Sequence, residues 1–276
     1  MSAQTATGPA PRGSHDEAKV QRGIGYAFVG GLGVTLITFI VGGALLIWLF
    51  LATRGPSAPQ LLPPDTQFYA AVPPNIGGVV DVNQLQSGLR QGLGVPEPAS
   101  LVAPLERLLG VTILDHVATW LGSELAVAVR GVDATVMEGA KPGEALLRNG
   151  QVIFLFSSKN DPQAEAFLAK HRAAREARGA TFSVEQVGDA TIYVEEGGAP
   201  SPIAAFALID HYIIFSNSPD ALTTIAAGDE ASLAGVPAFT ASQEDRERSP
   251  VAIYTDGSAE AELARAALRE LITSLK

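Results

Sequence analysis

One uncharged stretch of the sequence constrains this chain more than any other feature. Residues 23–53 contain no Asp, Glu, Lys, Arg or His and are rich in Leu, Val, Ile, Phe and Gly. A helix rises about 1.5 Å per residue, and about 20 apolar residues cross a hydrocarbon core about 30 Å thick. The stretch therefore predicts a transmembrane helix that contacts the lipid bilayer, with Tyr26 and Trp48 as interfacial anchors near its ends.

A nucleotide-binding loop and a cleaved signal peptide both fail to account for the spacing in this stretch. A dinucleotide-binding loop needs the pattern G-x-G-x-x-G, and Phe28 stands where Gly23 and Gly25 require the third glycine. A cleaved signal peptide has an apolar core of about 7–15 residues, which is much shorter than this run. The chain also has no cysteine, which excludes a lipid-modified N-terminal cysteine. We therefore expect an anchor that is not removed.

The charged residues that flank the span predict its orientation. Arg12, Lys19 and Arg22 precede it, whereas Arg54 is the one basic residue that follows it before Arg90. Cytoplasmic flanks carry the excess of Lys and Arg. The N-terminus is therefore expected in the cytoplasm, and the larger C-terminal part outside the plasma membrane.

Small residues recur every fourth position on one face of the predicted membrane helix. This face consists of Gly23, Ala27, Gly31 and Thr35. Small residues at this spacing let two membrane helices approach closely, which suggests self-association. Glycine is also simply frequent in membrane helices, so a packing role and simple abundance both stay open.

Composition divides the chain into four parts. Residues 1–22 predict a disordered cytoplasmic tail, residues 23–53 the membrane helix, and residues 54–64, with their prolines, an extended spacer. Residues 65–276 are then one extracytoplasmic domain, or two subdomains split near 131–150. From Arg54 onward the chain has 16 Lys and Arg against 27 Asp and Glu, and this acidic balance argues against nucleic acid as a partner.

Hydrophobic periodicity and turn residues predict the elements of the outer part. Predicted helices cover residues 100–110, 113–122, 161–179, 218–227 and 259–275, and a mobile loop covers residues 131–150. Predicted strands cover residues 66–72, 79–82, 124–130, 152–156, 181–187, 191–195, 203–209, 212–216 and 251–255. Short hairpins require antiparallel neighbours, so the fold class is α+β, an antiparallel sheet with helices covering one face.

No established catalytic or metal-binding motif appears in the sequence. There is no G-x-S-x-G elbow, H-E-x-x-H, P-loop or EF-hand loop, and no two of the four histidines have metal-ligand spacing. We therefore expect no cofactor, no metal and no catalytic residue. One basic cluster stands out in an acidic domain, as an anion-binding or partner-binding patch or as a solvated helix end. It consists of Lys170, His171, Arg172, Arg175 and Arg178.

Several short segments, in order along the outer part, are similar to a known family. The segments are 61–72 (LLPPDTQFYAAV), 109–126 (with WLGSELA), 161–168 (with AEAFL), 207–222 and 232–239. Together they resemble the uncharacterised bacterial family called domain of unknown function 3352. The resemblance implies a membrane helix followed by an extracytoplasmic domain, and it implies no activity, since none is established for the family.

The expected function is binding or scaffolding in the cell envelope, with an envelope protein or a second copy as the partner. Two alternatives stay open. One is an envelope enzyme, such as a hydrolase with a carboxylate-based site, and the other is an accessory subunit of a membrane complex. A deep pocket lined by ionisable groups with shifted pKa values would favour an enzyme, and a flat apolar patch would favour a binding module.

Overall fold

The structure is a computed structural model, and it describes only part of the chain. The described residues are 56–72, 75–76, 79–80, 87, 106, 117–137, 141–197, 201–228, 231–244 and 251–274. The predicted tail, the predicted span and the face formed by Gly23, Ala27, Gly31 and Thr35 lie outside them. Among the described residues, no helix has the length and apolar character needed to cross a membrane.

The described elements confirm an α+β fold in residues 56–274. The helices are α1 (Ala58–Leu61), α2 (Ala134–Met137), α3 (Pro142–Asn149), α4 (Asp161–Glu176), α5 (Pro219–Ala227), α6 (Pro237–Glu244) and α7 (Ala259–Ser274), with a 3-10 turn at Leu233–Gly235. The strands are β1 (Thr66–Val72), β2 (Asn75–Ile76), β3 (Val79–Val80), β4 (Leu121–Arg130), β5 (Gln151–Ser158), β6 (Thr181–Val187), β7 (Ala190–Glu196), β8 (Ala205–Ile209), β9 (Tyr212–Ser216) and β10 (Ala252–Thr255).

Eight of these strands form one antiparallel sheet in the order β10-β1-β4-β5-β9-β8-β7-β6. Strands β2 and β3 pair separately as a small hairpin. In the large sheet, two-residue turns close the hairpins β6–β7 and β8–β9. Asp210 and His211 both have positive φ, 45° and 66°, as the favoured hairpin turn requires. Both predicted hairpins are confirmed.

Helices cover both faces of this sheet, so the prediction of a single covered face is wrong. Face A, which carries Tyr69, Leu155 and Ile214, packs against α1, α5, α6 and the 3-10 turn. Face B, which carries Phe156 and Phe215, packs against α4 at one end and against α3 and α7 at the other. The physical reason is visible in β9, whose five residues are all buried. A strand that is apolar on both sides needs cover on both sides.

Residues 131–150 do not form the predicted loop. They contain α2 and α3, and Ala145 and Leu146 of α3 are buried in the core. Gly143 explains how a helix fits here, because a Cβ at this position would lie 3.1 Å from the backbone nitrogen of Leu271 in α7. The glycine that weakens the helical pattern therefore allows α3 and α7 to pack closely.

Three further boundaries differ from the sequence-based expectation. Residues 117–120 form a turn and β4 begins at Leu121, so the end of the predicted helix 113–122 is wrong. Helix α4 ends at Glu176 rather than at residue 179, and its N-cap is Asn160, whose side chain accepts a hydrogen bond from the backbone nitrogen of Gln163. Residues 58–63, expected in the spacer, belong to the folded unit, and Leu62 is fully buried.

Candidate functional site

Glu124 collects hydrogen bonds from three separate elements on face A. The hydroxyl of Tyr69 in β1 donates to Oε1 at 2.8 Å, and the hydroxyl of Tyr212 in β9 donates to Oε2 at 2.6 Å. The backbone nitrogen of Ala58 in α1 also donates to Oε2, at 3.1 Å. We call Glu124, Tyr69, Tyr212 and Ala58 the Glu124 cluster. It links α1 to the strands β1, β4 and β9.

An irregularity between β4 and β5 positions this carboxylate. The register shifts between Leu121 and Leu125, and the side chain of Ser157 fills the gap. Its hydroxyl accepts from the backbone nitrogen of Glu124 at 2.8 Å and donates to the carbonyl oxygen of Glu124 at 2.9 Å. A Cβ on Gly122 would lie 2.7 Å from Oγ of Ser157. Glycine at 122 therefore allows the serine to replace the lost ladder bonds.

The Glu124 cluster is closed rather than open to a ligand. Tyr69 and Tyr212 are 1% and 4% exposed, and both oxygens of the carboxylate already accept hydrogen bonds. The sequence patterns assigned the cluster no role, although its three side chains lie in segments 61–72, 109–126 and 207–222 of the family resemblance. These three segments therefore contact one another in the structure, and each contributes one side chain to the Glu124 cluster.

Burial raises the pKa of the Tyr212 phenol above its ordinary value of about 10, and the charge of Glu124 beside it raises the pKa further. The hydrogen bond to the carboxylate acts in the same direction, because it requires the phenol to keep its proton. Folded Tyr212 therefore holds its proton at pH values where the unfolded chain has lost it.

This shift predicts alkaline destabilisation. Above pH 10 the unfolded state binds fewer protons than the folded state, so the free energy of unfolding should fall by up to about 1.4 kcal/mol per pH unit for this group. Below pH 10 the contribution should be constant. Denaturant titrations between pH 8 and 11 should show a shallower fall for Tyr212→Phe than for the wild type. Equal slopes for the two proteins would contradict this assignment.

The structure separates the members of the predicted basic patch. His171 is 1% exposed, and its ring packs edge-on against Phe206 and Phe215 at centroid distances of 5.0 and 5.2 Å. It is therefore a residue of the face B core and cannot contact a surface ligand. The i, i+4 spacing from Phe167 carried a signal for this, because it places both side chains on the same buried side of α4.

Two arginines of the patch are held within the fold. Arg175 makes a two-pronged contact with Glu195 of β7, with Nε 3.0 Å from Oε2 and Nη2 2.7 Å from Oε1. The guanidinium of Arg172 lies over the ring of Tyr193, 4.9 Å from its centroid. Lys170 and Arg178 are exposed. The five residues therefore form no common surface, and of the five only Arg172 lines the cleft described next.

The cleft lies on face B, between α4 and the strands β7 and β8. Its volume is about 240 Å³, and it is open to solvent on one side. Arg172 and Tyr193 form one wall, and Nε of Arg172 lies 3.5 Å from Oε1 of Glu176. The residues lining the cleft are Glu165, Leu168, Ala169, Arg172, Asp189, Thr191, Tyr193 and Leu208. The cleft therefore offers side chains of both charge signs to a ligand.

His211 and Asp161 form an exposed pair near the start of α4. Nδ1 of His211 lies 2.5 Å from Oδ2 of Asp161, and the two side chains are 54% and 31% exposed. The pair joins the β8–β9 turn to α4, and the backbone carbonyl of His211 also accepts a hydrogen bond from the nitrogen of Ser158 at the end of β5. In the described part of the chain, the side-chain partner of this imidazole is Asp161, so the contact holds the turn against the start of α4.

No metal-binding group of three or more His, Cys, Asp or Glu side chains occurs among the described residues.

Comparisons of the chain with protein-family models, with curated proteins and with solved structures found no match. The resemblance to domain of unknown function 3352 therefore stays a prediction that rests on the five sequence segments.

Proposed function

We propose that this chain is a membrane-anchored module that binds or scaffolds outside the plasma membrane. Residues 23–53 provide the anchor, and the excess of Lys and Arg before them keeps the N-terminus in the cytoplasm. The acidic outer part then faces the cell envelope. The support for this arrangement comes from the sequence, in the length of the uncharged run and in the charges beside it.

The observation that carries the binding role is the cleft beside α4. Two other polar groups in the described residues are engaged within the fold, because Glu124 accepts three hydrogen bonds and Arg175 pairs with Glu195. Asp133, Tyr212 and Tyr254, whose pKa values are shifted, do not line the cleft. Arg172 stacked on Tyr193 instead provides a preorganised cation for an anionic or carbonyl group of a ligand.

The absence of cysteine makes a direct test possible in the full-length chain. Thr191→Cys places a thiol in the cleft, Glu262→Cys places one on an exposed turn of α7, and Thr5→Cys places one in the predicted cytoplasmic tail. A membrane-impermeant benzophenone maleimide added to intact spheroplasts should label the first two variants and leave the third unlabelled.

Illumination of the labelled cells should then give an adduct from Thr191→Cys that is missing from Glu262→Cys. The adduct should be lost when Arg172→Ala is added, because the ligand would lose its cation. Labelling of Thr5→Cys but not of Thr191→Cys would reverse the topology. Labelling of Thr191→Cys without an Arg172-dependent adduct would remove the cleft as the binding site and leave the topology intact.

A further inference from the structure

The two edges of the large sheet differ in how they are protected. Strand β10 has four residues, all buried or half-buried. Strand β6 has seven residues, and Thr181, Val184, Glu185 and Gln186 are exposed. Within the described part of the chain, β6 pairs on one side only, with β7. An exposed edge of this length is a template for another strand.

The register of the β6–β7 hairpin shows which backbone groups face the open side. Val187 and Ala190 close the two-residue turn and are opposite each other, so they exchange hydrogen bonds as the narrow pair of the hairpin. Bonding alternates along an antiparallel ladder. Residues 181, 183, 185 and 187 therefore bond to β7, and the amides and carbonyls of Phe182, Val184 and Gln186 point to the open edge.

The side chains of β6 do not block the pairing of another strand at this edge. Natural edge strands carry lysine, proline or a bulge that blocks further pairing, whereas the sequence TFSVEQV has none of these and one charge, Glu185. Val184 is 55% exposed, and in the described residues it is the one large apolar side chain that is exposed. The edge therefore has an exposed apolar side chain at its centre, and the amides and carbonyls of alternate residues face away from β7.

We infer that β6 pairs antiparallel with β6 of a second copy of this chain, about a two-fold axis at Val184. This register places Val184 opposite Val184, Phe182 opposite Gln186, and Ser183 opposite Glu185. In this register, the residues that pair through hydrogen bonds are 182, 184 and 186, whose amides and carbonyls point away from β7. They form about six new backbone hydrogen bonds between the two copies. A shift by one residue would put bonded groups opposite open ones, and a shift by two residues would lose about two of the six bonds, so the register centred on Val184 is favoured.

Charge supports a second copy as the occupant. In this register Ala180 lies opposite Gly188, so the end of one β6 lies beside the β6–β7 turn of the other copy. Arg178 precedes β6 and is exposed, and Asp189 in the turn is exposed. Opposite charges thus meet at both ends of the joined strands, and Glu185 faces the neutral Ser183 rather than another carboxylate.

Cysteine cross-linking of the full-length chain tests the register. Cα atoms opposite each other across an antiparallel pair lie about 4.5–5.5 Å apart, within the range of a disulfide. After oxidation of lysed cells, Val184→Cys should give a disulfide-linked homodimer, and Ala259→Cys, at an exposed position of α7, should not. Ser183→Cys and Glu185→Cys should cross-link when coexpressed and remain monomeric when expressed alone.

The oligomeric state provides the second measurement. The wild-type chain in detergent should be dimeric by light scattering, and Val184→Lys should be monomeric with an unchanged circular dichroism spectrum, because the side chain is exposed in the monomer. Ala259→Lys adds the same charge elsewhere and should stay dimeric. A monomeric wild type, a dimer that survives Val184→Lys, or cross-linking of Ser183→Cys with itself would overturn the inference. These outcomes do not depend on labelling or adduct formation at the cleft. The dimer and the proposed function can therefore each be disproved without affecting the other.

Discussion

Glu124→Ala is expected to destabilise the folded unit that begins at Pro56 by roughly 3–5 kcal/mol. The change leaves the hydroxyls of Tyr69 and Tyr212 and the backbone nitrogen of Ala58 without their acceptor. Each buried donor that loses its partner costs about 1–3 kcal/mol, and Glu124 itself is only half-buried, so water offsets part of the loss. At about 2–4 °C per kcal/mol for a domain of this size, the melting temperature should fall by roughly 10 °C.

Two variants separate this effect from a simple change of charge. Glu124→Gln keeps the side-chain shape and one acceptor oxygen, so its melting temperature should lie between those of the wild type and of Glu124→Ala. Ser123→Ala alters the exposed neighbour of Glu124 and should change stability by less than about 0.5 kcal/mol. Thermal unfolding of the full-length protein in detergent, followed by circular dichroism, measures all three. A wild-type melting temperature for Glu124→Ala would mean that the cluster does not stabilise the fold.

Deletion of residues 259–276 is expected to unfold the compact unit that begins at Pro56. Helix α7 places Ala264, Ala267, Leu268 and Leu271 in the core of face B, against β1, β4 and α3. Truncation of a buried leucine to alanine costs about 2–5 kcal/mol, and a domain has only about 5–15 kcal/mol in total. Removing the whole helix also exposes Phe68 and Val127, whose cover it provides. The loss therefore exceeds the stability of the domain.

A matched pair of point variants gives the same test with a graded result. Leu268→Ala, at a fully buried position, should lower the unfolding free energy by about 2–5 kcal/mol. Glu262→Ala, on the exposed side of α7, should change it by less than about 0.5 kcal/mol. Denaturant unfolding measures both. Should the truncated protein keep its melting temperature, α7 is an appendage, and its apolar side becomes a candidate partner-binding surface.

The sequence predicted those elements whose turn residues, caps and apolar pattern all lie within one short segment. The β6–β7 and β8–β9 hairpins have turn residues between two apolar runs, and α4, α5 and α7 have caps or prolines and an apolar stripe. The apolar stripe of α7 also requires cover, which the sheet that contains β10 provides. These predictions are confirmed.

Other features depended on contacts between distant residues. Gly143 weakens the helical pattern of α3, and only the approach of Leu271 shows why it is there. The continuous apolar runs of β5 and β9 indicate cover on both faces, which the prediction of a single covered face overlooked, but which helices provide that cover depended on tertiary contacts. His171 looked like part of a basic patch by composition, and the packing of Phe206 and Phe215 around it decided otherwise.

The sequence by itself predicted an anchor and its orientation, both of which lie outside the described residues, and it determined the acidic balance from Arg54 onward and the main strands and helices. These properties depend on local hydrophobicity, charge and turn chemistry, which need no knowledge of the fold. Tertiary structure alone decided the convergence of Tyr69, Glu124 and Tyr212, the cleft beside α4 and the open edge of β6. Each of these depends on which strands become neighbours, and strand order is set by long-range burial that no short segment encodes.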